Sequence, residues 1–294
     1  MKSGKIMSKM MLLGLVVMLV LAMSVPAFAQ DYLTSTSASY IQGTAPIYTD
    51  QTINVDLVVE SRTISGSYIY TTINNVLLTA GETAQSFFVR DVLLAVQDMG
   101  NYTFNGTDGN PIDSGDSYFY SVTDENSIVT YGPTSQYAWD GWVFRINNKF
   151  PLESAGLGAS IATAYVTDGD VINIYHDDAS SSTSCADFAK IASITDNDSN
   201  TLTVNVKASC QYYGPAPTYT WNLTNFANYQ GVTVKAYNES GTLVTSGTTD
   251  SSGNVDLNVG SFGSHTYKVE VVRTTFGNGL IENTTDTVTG YDPI

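Results

Sequence analysis

The sequence predicts a mainly β protein in which a small α+β sheet carrying one helix is followed by a β-sandwich. Three observations lead there. Apolar and polar residues alternate with period two from Gln51 onward. A single stretch of the later chain, between Thr83 and Met99, has helical spacing. Beyond residue 180, short alternating runs recur about every ten residues with no helical run between them.

Taken in order, Ile53, Val55, Leu57 and Val59 point one way while Asn54, Asp56 and Val58 point the other, a strand with one buried face. Ser65 to Leu78 reads as a second strand region. Val89, Val92, Leu93, Val96 and Met99 recur at three and four and stop at Gly100, the residue expected just past a helix end. A polar loop from Asn101 to Asp116 leads to strands at Tyr118 to Val122, Gly141 to Asn147 and Ala162 to His176. Thr167-Asp168-Gly169-Asp170 splits the last of these and signals a hairpin. Ala179 to Ser184 is a linker by composition. Strands then follow at Ile191 to Thr195, Leu202 to Ser209, Tyr219 to Leu223, Val232 to Tyr237, Val255 to Val259 and Thr266 to Val272. The chain divides into a signal peptide at 1–29, an extension at 30–50, the α+β module at 51–180 and the sandwich at 181–294. The two modules are expected to fold independently.

Lys2, Lys5 and Lys9 precede an apolar run from Met10 to Met23, and Ala27-Phe28-Ala29 supplies the small residues of a cleavage site. The run is shorter than the ~20 residues that cross a bilayer. The expected product is secreted, cut near Ala29, and either released or held at the cell envelope by non-covalent contacts, without a transmembrane anchor. Cleavage leaves nine of the twelve basic residues against all 28 acids, a net charge near -19. Such a chain repels phosphate backbones and anionic lipid, which excludes a nucleic-acid partner. Charged residues are only 14% of the chain and Tyr contributes 19 residues, which argues against both disorder and a helical bundle. Cys185 and Cys210 are the two cysteines, and in an exported chain they are expected to be bridged, within one molecule or between two.

The run Trp139-Asp140-Gly141-Trp142-Val143-Phe144-Arg145-Ile146-Asn147-Asn148, then Gly158-Ala159-Ser160, then Ala164 to Ile172 with its Asp168-Gly169-Asp170 turn, resembles the transcobalamin-like C-terminal domain. The resemblance reaches back to Ile53. It implies a β-grasp-like sheet and, for a small-molecule role, a ligand rim made by Trp139, Gly158, Ser160, Asp168 and Asp170. In the animal vitamin B12 carriers this domain closes over a corrinoid otherwise held by a large helical barrel, which a single helix cannot supply. Gly231 to Asn238, Thr248 to Gly253 and Tyr267 to Val271 are similar to the carboxypeptidase-regulatory and collagen-adhesin B repeats. That similarity implies an immunoglobulin-like β-sandwich used as a spacer or stalk.

No constellation of catalysis emerges. No Gly-x-Ser-x-Gly elbow occurs, and His176 and His265 sit in no recognisable frame, so His176 is expected to be a surface imidazole. Asp196-Asn197-Asp198-Ser199-Asn200 begins like a calcium loop but has Thr201 where Gly is needed and Lys207 where Glu is needed, and reads as a polar turn. Asp108, Asp113 and Asp116 with Asn110 offer a looser calcium alternative against a solvated loop. Trp142 and Phe144 are expected in the core, whereas Trp139 either packs or offers a stacking surface to a glycan or flat ligand. Six Asn-x-Ser/Thr triplets match the number chance provides, with Asn105 and Asn197 in predicted turns.

The functional expectation is an exported, non-catalytic envelope protein, a structural or adhesive subunit of surface-layer or sheath type whose partners are other envelope proteins or copies of itself. The alternative is extracellular capture of a corrinoid-like small ligand. No resident cofactor or metal is expected, corrinoid and calcium being the two weighed.

Overall fold

The computed structural model describes residues 37–62, 68–100, 102–106, 108–124, 129–130, 141–153, 158–177, 186–197, 200–213, 221–260, 265–272 and 285–290. The leader, Trp139, the 179–184 linker and Cys185 lie outside the described residues. The protein is mainly β, and residues from Thr36 onward belong to one compact unit.

The first part contains β1 (Ser39–Ile41), β2 (Thr52–Arg62), β3 (Tyr68–Thr79), α1 (Val89–Asp98), β4 (Tyr102–Asn105), β5 (Ser121–Asp124), β6 (Val129–Thr130), β7 (Gly141–Ile146), β8 (Phe150–Leu152) and β9 (Val171–Asp177). Four strands form a sheet in the order β3-β2-β9-β7. Strand β2 runs antiparallel to β3 and parallel to β9, which is antiparallel to β7. The alternation in β2 is realised over its first half, where Ile53, Val55 and Leu57 are buried between half-buried Asn54 and Asp56; from Leu57 to Glu60 both faces are buried, Val58 included, because this part of the strand lies between β3 and β9. Ile53, Val55, Leu57 and Val59 share one core with Val89, Val92, Leu93 and Val96 of α1 and with Ile172 and Ile174 of β9.

The helix starts six residues later than the first polar residue of its predicted window because Phe88 is still extended. The Asp91 carboxylate accepts the Phe88 backbone N–H at 2.8 Å and places negative charge in the first turn, where the helix dipole favours it. The free N–H groups of Val89 and Arg90 donate to the carbonyls of Ala164 and Ile161.

Those carbonyls belong to the segment expected to be the first arm of the Asp-Gly hairpin, and here the structure corrects the sequence. Residues 161–163 form a turn, and Tyr165 makes only an isolated bridge to Phe88. The physical reason is that both edges of β9 are already taken, one by β2 and one by β7, so no edge remains for residues 162–167. The tight turn that does form next to the Trp-containing strand joins β7 to β8 and is closed by the isolated Ile146–Lys149 bridge. Its Asn147 and Asn148 both have positive φ, 50° and 62°, as a two-residue turn matched to strand twist requires.

The later part contains β10 (Ala186–Asp196), β11 (Thr201–Tyr213), β12 (Trp221–Leu223), β13 (Ala227–Asn228), β14 (Thr233–Tyr237), β15 (Leu243–Thr248), β16 (Asn254–Asn258), β17 (His265–Val272) and β18 (Thr285–Gly290). One sheet is built on β11, which pairs with β10, β12, β13 and β16; the other has the order β15-β14-β17-β18. Ile191, Leu202, Val204 and Val206 from the first sheet and Val234, Ala236, Val269 and Val271 from the second bury into one core. Strand β15 went unpredicted because most of its side chains are exposed and Leu243-Val244 breaks the alternation.

A third, smaller core joins the two parts: Ala38, Val143, Phe150 and Tyr175 pack with Phe188 and Phe226. Arg145 sits inside it, 0% exposed. Its guanidinium donates to the Tyr175 hydroxyl (3.1 Å), the Asn148 carbonyl (3.2 Å), the Ala38 carbonyl (3.4 Å) and the Ser209 hydroxyl (3.4 Å), and stacks 4.2 Å over the Phe188 ring. Lys190, 1% exposed, points its ammonium at the Phe226 ring from 4.4 Å.

Candidate functional site: a polar cleft beside the Thr167–Asp170 turn

The predicted rim residues that are described do not converge on one opening. Gly158 bridges to Leu152, and the Ser160 hydroxyl lies 3.1 Å from that of Thr163, which in turn donates to Glu153. These contacts close the loop over the helix entrance. Asp168 and Asp170 instead stitch their turn to β2. The Asp168 carboxylate accepts the Asn54 N–H at 2.8 Å, Gly169 donates its N–H to the Asn54 carbonyl, and Asp56 donates its own to the Asp170 carbonyl. The Asp170 carboxylate accepts from the Thr167 N–H (2.7 Å), the Thr167 hydroxyl (3.0 Å) and the Asn147 amide (2.7 Å).

Against this turn lies a cleft of about 290 Å³ lined by Asn54, Asp56, Asn74, Asn75, Gly169 and Asp170. Asn74 and Asn75 reach it because β3 carries an extra residue there, where the register with β2 shifts between Val55 and Leu57. Asn75 takes the left-handed conformation (φ 60°) that asparagine tolerates. Its N–H donates to Asp56, and its side-chain carbonyl accepts from Asn54. The Asn54 side-chain oxygen is shielded from solvent and has no hydrogen-bond partner. Nothing in the sequence marked the bulge, since an Asn-Asn pair inside an alternating strand is not by itself a turn signal.

Burial raises the Asp170 carboxyl above its ordinary value, against the lowering effect of Thr167 and Asn147, and Asp168 adds to the rise. Burial likewise raises the Tyr40 and Tyr48 phenols, with Asp170 contributing to both. A carboxyl whose folded value is raised favours the folded state fully below its unfolded value and loses that advantage as pH rises through the folded one. The stability of the wild type relative to Asp170→Asn should therefore grow as pH falls through the window just above the ordinary carboxylate value. Urea unfolding of both proteins across that window measures it; a difference independent of pH would refute the assignment.

Elsewhere the structure reassigns several predicted features. His176 is buried, 5% exposed, with its ring 5.4 Å from that of Trp142, because β9 lies between two strands. Phe144 enters the core as expected, while Trp142 packs at its margin and donates its indole N–H to the Tyr120 carbonyl. Asn105 lies in β4, not in a turn, and its amide donates to Ser121 and Thr123. The carboxylates of Asp108, Asp113 and Asp116 accept from Asn110, Gly115 and Asp113 within their own loop. Among the described residues, no three His, Cys, Asp or Glu side chains are grouped to hold a metal ion. Cys210 lies on β11 opposite Asp187, and the predicted bridge to Cys185 falls outside the described residues.

The fold and this cleft define a mainly β protein with a small polar recess bounded by turns. No family model matches the chain, and neither does a curated protein or a solved structure.

Proposed function

We propose that this protein is an exported, non-catalytic structural or adhesive subunit of a cell envelope, of surface-layer or sheath type. One observation carries the reading: of the residues singled out as a ligand rim, Ser160, Asp168 and Asp170 spend their side-chain oxygens on the protein's own backbone and side chains, as scaffold residues do. The buried seam around Arg145 supports it, since a subunit under load needs modules that do not swivel. The cleft of about 290 Å³ is at the lower limit of pockets that enclose small ligands, ~300 Å³, and would leave a corrinoid exposed. The test is sedimentation of the purified protein over a concentration series with electron microscopy of the heavy fraction. Concentration-dependent particles are expected; a monomer at every concentration, together with tight corrinoid binding, would replace this reading with ligand capture.

A further inference from the structure

We infer that the edge of β3 left unpaired by the described strands is a self-assembly contact, where a second copy of this chain pairs its own β3 antiparallel across a two-fold axis. The inference rests on the structural-subunit reading and names its contact. Within the described strands, β3 pairs only with β2 and ends its sheet. It is twelve residues long, Tyr-Ile-Tyr-Thr-Thr-Ile-Asn-Asn-Val-Leu-Leu-Thr, and contains neither a charged residue nor a proline.

Proteins usually blunt such edges with charge, proline or brevity, because unpaired N–H and C=O groups invite another strand. This chain does so at other edges: β10 carries Asp187 and Asp196, β16 carries Asp256 and β18 carries Asp286, while β12 and β13 are only three and two residues. Strand β15 is uncharged too, but half as long.

A second copy is the occupant because the same uncharged strand, turned about a two-fold axis, supplies an antiparallel partner that brings no charged side chain of β3 against another. At a formal -16, two copies repel one another over most of their surfaces, so a contact between them must lie where like charges do not meet. The β3 edge is such a place. Its side chains also alternate usefully: Ile73, Val76 and Leu78 turn into the core, whereas Thr72, Asn74 and Thr79 are exposed and Leu77 is 61% exposed. The bulge at Asn74–Asn75 interrupts the strand, and the run from Tyr68 to Ile73 before it stays regular, about the length of an average strand. Pairing two such runs would join the four-stranded sheets of two molecules into one of eight strands. An edge contact this small is weak singly and acts when copies are concentrated. Screening the repulsion should strengthen it.

The experiment is analytical ultracentrifugation of the whole protein over a concentration series at low and high salt. Wild type is compared with Thr72→Lys, Tyr70→Lys and a control, Ser251→Lys, at an exposed turn distant in sequence. Hydrogen exchange of residues 68–73 in wild type, dilute against concentrated, is the second measurement. The expected result is assembly that rises with salt, slowed exchange in 68–73 on assembly, and about a tenfold higher concentration for half-assembly in the two edge variants but not in the control. Assembly with unchanged exchange at 68–73 and unaffected edge variants would overturn the β3 contact and leave the subunit reading standing. A wild type that never assembles would overturn both.

Discussion

Arg145→Ala should cost about 3 to 5 kcal/mol of stability, the usual result of removing one partner from a buried charged network. The guanidinium donates to the Tyr175 and Ser209 hydroxyls and to the Asn148 and Ala38 carbonyls within 3.4 Å, and its loss removes these bonds from a buried site, although the Ala38 carbonyl keeps the Phe150 N–H. The stacking over Phe188 goes with the guanidinium. Arg145→Met, which keeps most of the apolar stem, should cost less than the alanine, because packing is retained. The position links Tyr175 of β9 to Ser209 of β11, so the effect should appear on both sides of the seam. Chemical unfolding followed by hydrogen exchange at β2 and β11 amides reads this directly. Wild type is expected to lose protection at both together, and Arg145→Ala to lose it in two steps. If wild type already unfolds in two steps, the modules are independent, as their sequence patterns predict, and the seam contributes little.

Gly253→Ala should be the most damaging single methyl in the sandwich. A Cβ there would lie 2.5 Å from the Val206 carbonyl oxygen, 3.0 Å from the Tyr229 nitrogen and 3.2 Å from the Asn228 Cα, all of them backbone atoms. They cannot rotate aside, and Val206 is tied to Gly253 by its own N–H. The φ of 74° adds left-handed strain of about 1 to 2 kcal/mol for any residue with a Cβ. With overpacking of about 1 to 3 kcal/mol, the total is near 3 kcal/mol, a fall in Tm of roughly 6 to 12 °C for a chain of this size. Gly241→Ala separates the two causes: its φ is 75°, but no atom lies within 4 Å of the added methyl. It should lose only the strain. Equal losses in the two variants, measured by thermal unfolding, would show that crowding at Gly253 is not the cause.

The sequence alone determined the mainly β class, the alternation of β2, the apolar stripe Val89, Val92, Leu93 and Val96, and most strands of the sandwich. These are local matters, because periods of 2 and 3.6 place side chains on faces whatever the partner. Pairing was decided only by the tertiary structure. The Asp-Gly turn carried a hairpin signal, yet β9 found β2 and β7 before residues 162–167 could reach an edge, and the displaced segment went to the helix N-terminus instead. The same holds for His176, taken for a surface group because it ends a strand and buried because that strand is central. Arg145 carried no signal of its own within the run from Trp139 to Asn148, and its role depends on Phe188 and Ser209, more than forty residues further along the chain. The cleft beside Asp170 likewise needs a bulge in β3 to bring Asn74 and Asn75 to it. Periodicity records which way a residue faces; which surface meets it is set by competition among distant segments for hydrogen-bonding edges and apolar area, and one strand's sequence carries no record of that.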